Sequence, residues 1–167
     1  MDLLKALKPI EEVEAELSLL YEWFSRQNHL DAEAGAFFAR LSHDEKSHQQ
    51  IVQYQRRIVA RNTRIFEGVE LDVDEITRTV QNVKSLMASP PPADLDAMIR
   101  ITLEFENGTA EKYYRTAMTQ ANPEVGEFLQ RLGLSSANHY KTVLEFAELR
   151  GILPPTPPKR TPEPVGK

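Results

Sequence analysis

Glu14, Glu45, His48, Glu106 and His139 are of the types that hold hard or borderline metal ions, and they recur at matched spacings. Glu45 and His48 stand three residues apart within Phe38, Leu41, Glu45, His48, Val52. Ser136 and His139 repeat the same offsets within Leu129, Leu132, Ser136, His139, Val143. Residues three and four apart share a helix face, so each polar pair replaces one turn of an apolar stripe. Glu14 interrupts the stripe Ile10, Leu17, Tyr21, and Glu106 interrupts Ile99, Leu103, Ala110, Tyr113. Each of these glutamates precedes its tyrosine by seven residues, about two helical turns.

The pieces form an internal repeat. Glu14 precedes Glu45 by 31 residues, and Glu106 precedes Ser136 by 30. Turns near residues 30 and 122 place the members of each pair 16 and 15 residues from the first turn, and 16 and 14 from the second. At ~1.5 Å of rise per residue the members of a pair lie almost level. The expected product is one internal site where three carboxylates and two imidazoles meet at mid-height. Each buried carboxylate would cost several kcal/mol in desolvation, with mutual repulsion added, against a domain stability of roughly 5–15 kcal/mol. Such a group needs cations or protons. Oxygen and imidazole donors without sulfur suit iron, manganese or zinc. A single stripe glutamate is ordinarily a boundary residue reaching water, and a single stripe histidine a satisfied core or rim residue. The shared spacing and depth argue against that reading for the set. His29 and His43 fall off the stripes and are read as surface residues.

Long helices must position these residues. Glycine and proline are missing from long stretches, and apolar residues recur at three-and-four spacing, which predicts an all-α chain of four long helices and a short one. The first follows Pro9, carries Ile10, Val13, Leu17, Leu20, Tyr21 and Phe24 inward, and ends near Asn28. The second covers about residues 31–61, with Phe38, Leu41, Val52 and Val59 inward. The connection over residues 62–93 holds the short helix, opened by Asp72 as N-cap with Glu75 three residues on. Ile76, Val80, Val83 and Met87 stripe it, and Pro90, Pro91 and Pro92 stop it. The third long helix covers about residues 94–120, with Ile99, Leu103, Ala110 and Ala117 inward. The fourth starts at Asn122 and Pro123, carries Val125, Leu129, Leu132, Val143 and Phe146, and ends at Gly151. The long crossover lets two antiparallel hairpins pack as a four-helix bundle over residues 1–153. Residues 154–167, with six prolines, form an extended tail that is either solvated or laid against a partner. Asn107 and Gly108 cost about 1 kcal/mol inside a helix. Either a neighbour packs closely there, or a π-bulge changes which of Glu104, Glu106 and Glu111 points inward.

With 167 residues and no cysteine, the chain is one domain without disulfides, thiolate metal sites, iron–sulfur clusters or thiol nucleophiles. A net charge of −5 with dispersed lysine and arginine offers no track for a phosphate backbone, so nucleic acid is not an expected partner. No run reaches the ~18 apolar residues of a membrane span, and the first residues lack the pattern of a signal peptide, which leads to an expected cytoplasmic location without a membrane partner.

Over about residues 10–150 the sequence resembles the rubrerythrin branch of the ferritin-like superfamily. The resemblance is carried by Glu14 with Tyr21, by Asp44-Glu45-Lys46-Ser47-His48, by Glu106 through Tyr113 and Tyr114, and by His139-Tyr140. It implies a non-haem iron site with Glu14 and Glu106 terminal, Glu45 bridging, His48 and His139 each completing one metal, and Tyr21 and Tyr113 orienting the ligand carboxylates from behind. It also implies a redox protein that reacts with peroxide or dioxygen, or oxidises ferrous iron. An external electron-donor protein would be needed, because the four-cysteine module that often accompanies the family is missing. A homodimer follows by the same resemblance, with outward Phe37, Trp23 and Tyr114 as contacts. One departure is evident: Ser136 stands where a second bridging glutamate belongs. Three carboxylates leave one positive charge over against two divalent ions, so either a hydroxide completes the balance or one ion sits near Glu14, Glu45 and His48. The cofactor is therefore one or two irons, with zinc or manganese as substitutes. The alternative function is a non-catalytic metal-binding or degenerate interaction module.

Overall fold

The computed structural model describes residues 3–28, 31–61, 73–108 and 139–152. These are all-helical: α1 (Leu3–Gln27), α2 (Ala32–Arg61), α3 (Val73–Met87), α4 (Leu95–Glu106) and α5 (His139–Leu149), with no strand among the described residues. The expected Asp72 and Asn122-Pro123 caps, His29, Tyr113, Tyr114, Ser136 and the tail over 154–167 lie outside them.

The first helix begins six residues before Pro9 rather than after it. A proline inside a helix removes one backbone hydrogen bond and costs about 3 kcal/mol. Burial of Leu7, Ile10 and Val13 on the core face offsets that loss. Asp31 caps α2, its Oδ1 accepting the Ala34 N–H at 3.0 Å. The α1–α2 hairpin is held by small polar residues. Ser18 Oγ donates to the Ser42 carbonyl at 2.9 Å, and Ser42 Oγ returns the bond to the Ser18 carbonyl at 2.8 Å. Both residues are buried, so the two backbones approach closely with every hydroxyl satisfied.

Helix α3 lies on α1 through buried Ile76, Val80 and Val83. Lys84 fastens it there, 2.6 Å from Glu12 and 3.4 Å from Glu16. Asp94 caps α4, accepting from Ala97 N–H at 2.9 Å. The α4 helix is regular to Glu106 and stops at Asn107, the C-cap, at φ −79° and ψ −8°. The π-bulge considered from the sequence is therefore not formed there, and Glu104 remains exposed. Among the described residues, the nearest constraint on Gly108 comes from its own helix end. A Cβ on it would sit 2.7 Å from the Phe105 carbonyl oxygen, so the helix end itself demands glycine. Helix α5 closes at Gly151, φ 70°, with Ile152 N–H reaching the Ala147 carbonyl at 2.8 Å and Gly151 N–H the Glu148 carbonyl at 3.0 Å.

Side-chain contacts set the directions of the helices. Asn28 meets Met98 and Tyr21 meets Glu106, so α4 runs opposite to α1. Arg150 binds Asp31 and Glu33, Phe146 stacks on Phe37, and His139 reaches Glu45, so α5 runs opposite to α2. Phe37 is thus not the outward dimer contact expected of it. It is 6% exposed, with its ring 3.9 Å from that of Phe146 and nearly parallel. Ala34, Phe37, Phe38 and Leu41 make a broad apolar face, and α5 covers the part that a single stripe leaves out. Trp23 is partly buried against the core.

Phe37→Ala should therefore lose about 3–5 kcal/mol of stability in urea unfolding, whereas Leu149→Ala, at a position 82% exposed, should stay within about 0.5 kcal/mol.

Candidate metal centre

Four helices contribute to one cluster: Glu14 from α1, Glu45 and His48 from α2, Glu106 from α4 and His139 from the first position of α5. Glu45 is its centre. One of its oxygens, Oε1, lies 2.7 Å from His139 Nδ1, and the other, Oε2, lies 3.1 Å from His48 Nδ1. Glu14 Oε2 stands 3.6 Å from the same nitrogen of His48. Glu106 Oε2 stands 3.6 Å from the same nitrogen of His139. Two half-sites result, each a terminal carboxylate with an imidazole, joined through opposite oxygens of Glu45. The imidazole rings stack with centroids 5.0 Å apart. Tyr21 donates from its hydroxyl to Glu106 Oε1 at 2.5 Å, which leaves Oε2 free to face His139. The tyrosine thus serves a glutamate on another helix rather than the one on its own.

The cluster is dry. Side chains of Glu45, Glu106 and His139 are 3%, 4% and 2% exposed, and those of Glu14 and His48 12% each. Burial pushes the Glu14 carboxyl well above the usual carboxylate range, and the charge of Glu45 adds to this. Burial also raises Glu106. Glu45 is the exception: burial acts to raise it, but hydrogen bonds from His139 and His48 outweigh that and hold it low. Burial acts to lower both histidines, yet their carboxylate partners dominate, lifting His48 to about 10 and His139 to about 11. Tyr21 is pushed well up by burial and so remains a neutral donor.

The raised histidines favour protons shared between the imidazole nitrogens and the carboxylate oxygens, in the places where cations would bind. Two ligands each ~2.1 Å from one ion and roughly at right angles to each other are separated by about 3 Å. The nitrogen-to-oxygen separations of 2.7, 3.1, 3.6 and 3.6 Å bracket that value. Donor atoms of Glu45, His48 and His139 all lie within 4.8 Å of one another, so this buried group can hold a metal ion. The donor set, oxygen and imidazole nitrogen alone, fits the hard and borderline ions expected from the sequence.

All five sequence-derived ligand candidates thus meet, and His43 is exposed as expected. Tyr113 and Ser136 lie outside the described residues. Sequence reasoning missed Asp44, whose Oδ2 is 3.8 Å from His139 Nε2, a buried nitrogen without a hydrogen-bond partner among the described residues. Its place next to Glu45 was the available signal. It also missed a cavity of about 140 Å³ beside Glu14, Glu45 and Glu106, because Thr79 and Asn82 reach its wall from a helix outside the repeat.

Comparison of the chain with protein-family models, curated proteins and solved structures finds no match. No helix among the described residues is long and apolar enough to cross a membrane.

A pH dependence follows for the metal-free protein. Folded-state histidine values of about 10 and 11, raised from 6.5, give stability that is fully present below pH 6.5 and is lost as pH rises through 10 to 11. The raised Glu14 and Glu106 act in the same direction as pH rises above the usual carboxylate range, and the lowered Glu45 opposes them as pH falls. Thermal melts in a chelator should show the alkaline loss, and a His48→Gln, His139→Gln double variant should show a shallower one. An equal slope in both proteins would refute the assignment.

Proposed function

We propose that the protein is a ferritin-like, rubrerythrin-type metal protein holding non-haem iron between its helices and acting on peroxide, dioxygen or ferrous iron. The supporting observation is the division of Glu45 between two histidines, one on each oxygen, with Glu14 and Glu106 closing the two ends. The paired directions of α1 with α5 and α2 with α4 fit the two-hairpin bundle with a long crossover that such proteins use.

In this reading Glu14 and His48 would hold one ion, Glu106 and His139 a second, and Glu45 would touch both. Iron held there would supply one-electron redox chemistry next to a water-excluded carboxylate set. The chain's own residues do the rest. Tyr21 keeps one oxygen of Glu106 occupied and so fixes which oxygen faces inward. Apolar Leu103 and Val143, one turn from Glu106 and His139, shield the cluster's other flanks. His48 and His139 would give up their Nδ1 protons to an ion taking their place, and those protons would have to leave the core. Electrons would come from another protein. Homodimerisation belongs to the same proposal, and Leu19, half-exposed one turn before Trp23, offers an apolar face on α1 for it.

A second reading rests on the compact triad Glu45, His48 and His139: a single ion, such as zinc, in a module without redox turnover. The two are separated by stoichiometry. Titration of the metal-free protein with Fe²⁺ under anaerobic conditions should load two ions per chain and release protons into solution. Glu14→Gln should remove one ion, and Glu45→Gln should weaken both. One ion in the wild-type protein, unaffected by Glu14→Gln, favours the triad, and no uptake of iron or zinc refutes both.

A further inference from the structure

The cavity beside the cluster joins two different environments. Its inner wall is made by the ligand carboxylates Glu14, Glu45 and Glu106. Its outer wall is made by Thr79 and Asn82 of α3 and by Glu104 of α4, of which Asn82 and Glu104 are exposed. At about 140 Å³ it has room for several waters or a partly hydrated ion, and its carboxylates, Thr79 and Asn82 offer them polar partners between the apolar Val13, Leu17 and Phe105. Lys84 could neutralise this mouth from α3, but its ammonium is taken up by Glu12 and Glu16 on α1. Asn82 and Thr79 supply neutral oxygens on the way, and Glu104 supplies a negative charge at the rim.

We infer that divalent cations reach the buried cluster through this cleft between α1, α3 and α4, with Glu104 collecting them at the surface and Thr79 and Asn82 lining the passage. The inference rests on the metal-binding reading above and adds to it a route and the residues that set the rate of loading. Three features favour this path. It ends on all three ligand carboxylates at once. It exchanges hydration water for oxygen donors step by step, which lowers the cost of stripping a hydrated ion in a single event. Its carboxylate rim raises the local cation concentration, and clefts of one sign of charge raise association rates by ~10-fold or more. The α3 helix, outside the internal repeat, then has a use beyond spanning the crossover: it forms the outer wall of the passage, and the Lys84 pairs hold that wall at a fixed distance from α1.

The test is the rate at which Co²⁺ alone, added to metal-free full-length protein, develops its visible absorbance in stopped flow, together with the amount bound at equilibrium. Glu104→Gln should slow loading about tenfold. Asn82→Trp, a bulky substitution at an exposed position, should slow it further by obstruction. Glu148→Gln, an equal loss of charge at an exposed α5 site away from the cleft, should leave the rate unchanged. The amount bound should match wild type in all three. Equal rates across the variants with full binding would overturn the route and leave the metal centre standing. Failure of wild-type protein to bind Co²⁺ at all would overturn both.

Discussion

Like charges in a dry interior are the constraint to which this structure answers. Glu14, Glu45 and Glu106 come from three helices into a space that water hardly reaches, and their repulsion must be met by positive charge brought there with them. In the metal-free protein that charge is two imidazolium protons, on His48 and His139, which leave a net of −1 when all five groups are ionised (three negative, two positive). The raised Glu14 and Glu106 show how the remaining excess is absorbed, by proton uptake at the ends of the array rather than at its centre. Glu45 alone can stay charged at low pH because it alone has an imidazole on each side.

Tight helix packing follows from this requirement. A chain of acceptors and donors spaced 2.7 to 3.6 Å apart tolerates little slack between helices. The reciprocal Ser18–Ser42 bonds lie one turn from Glu14 and Glu45 on α1 and α2, and they fix the separation of the two helices next to the cluster. On the other side, stacking of Phe37 on Phe146 and the Arg150 pairs with Asp31 and Glu33 hold α5 to α2, so that His139 arrives at Glu45. Tyr21 links α1 to α4 through Glu106 itself. The cluster is therefore braced on each side by contacts that do not themselves bind an ion.

Much of this was legible in the sequence because helical periodicity and level hairpins are local arithmetic. The convergence of Glu14, Glu45, His48, Glu106 and His139 needed only spacing and rise per residue. Where the reading failed, tertiary contact outweighed a local rule. Pro9 reads as a helix start because proline disfavours helix interiors, yet burial of Leu7 carries α1 through it. Phe37 lies off the stripe of Phe38, Leu41, Val52 and Val59 and reads as outward, but α5 covers it. Asp44 and the α3 wall of the cavity could not be found by repeat matching, since neither has a counterpart in the other hairpin. Gly108 carried a true signal, and among the described residues its cause is the helix terminus, where a Cβ would meet the Phe105 carbonyl oxygen.

Stability alone does not explain why such a cluster exists. Replacing a buried ionic network by apolar side chains of similar volume is commonly neutral or stabilising by about 1–4 kcal/mol. Leu17, Leu41, Leu103 and Val143 already show that aliphatic residues pack on these same faces. A core needing only cohesion would carry leucine or phenylalanine at the five positions and dispense with His139 Nε2, a buried nitrogen without a hydrogen-bond partner among the described residues. The arrangement instead keeps carboxylates whose proton affinity burial has raised and imidazoles whose lone pairs are held by protons that an ion can displace. That is a costly way to build a core and a direct way to build a ligand set, because the free energy withheld from folding would be returned by cations taking the place of the protons.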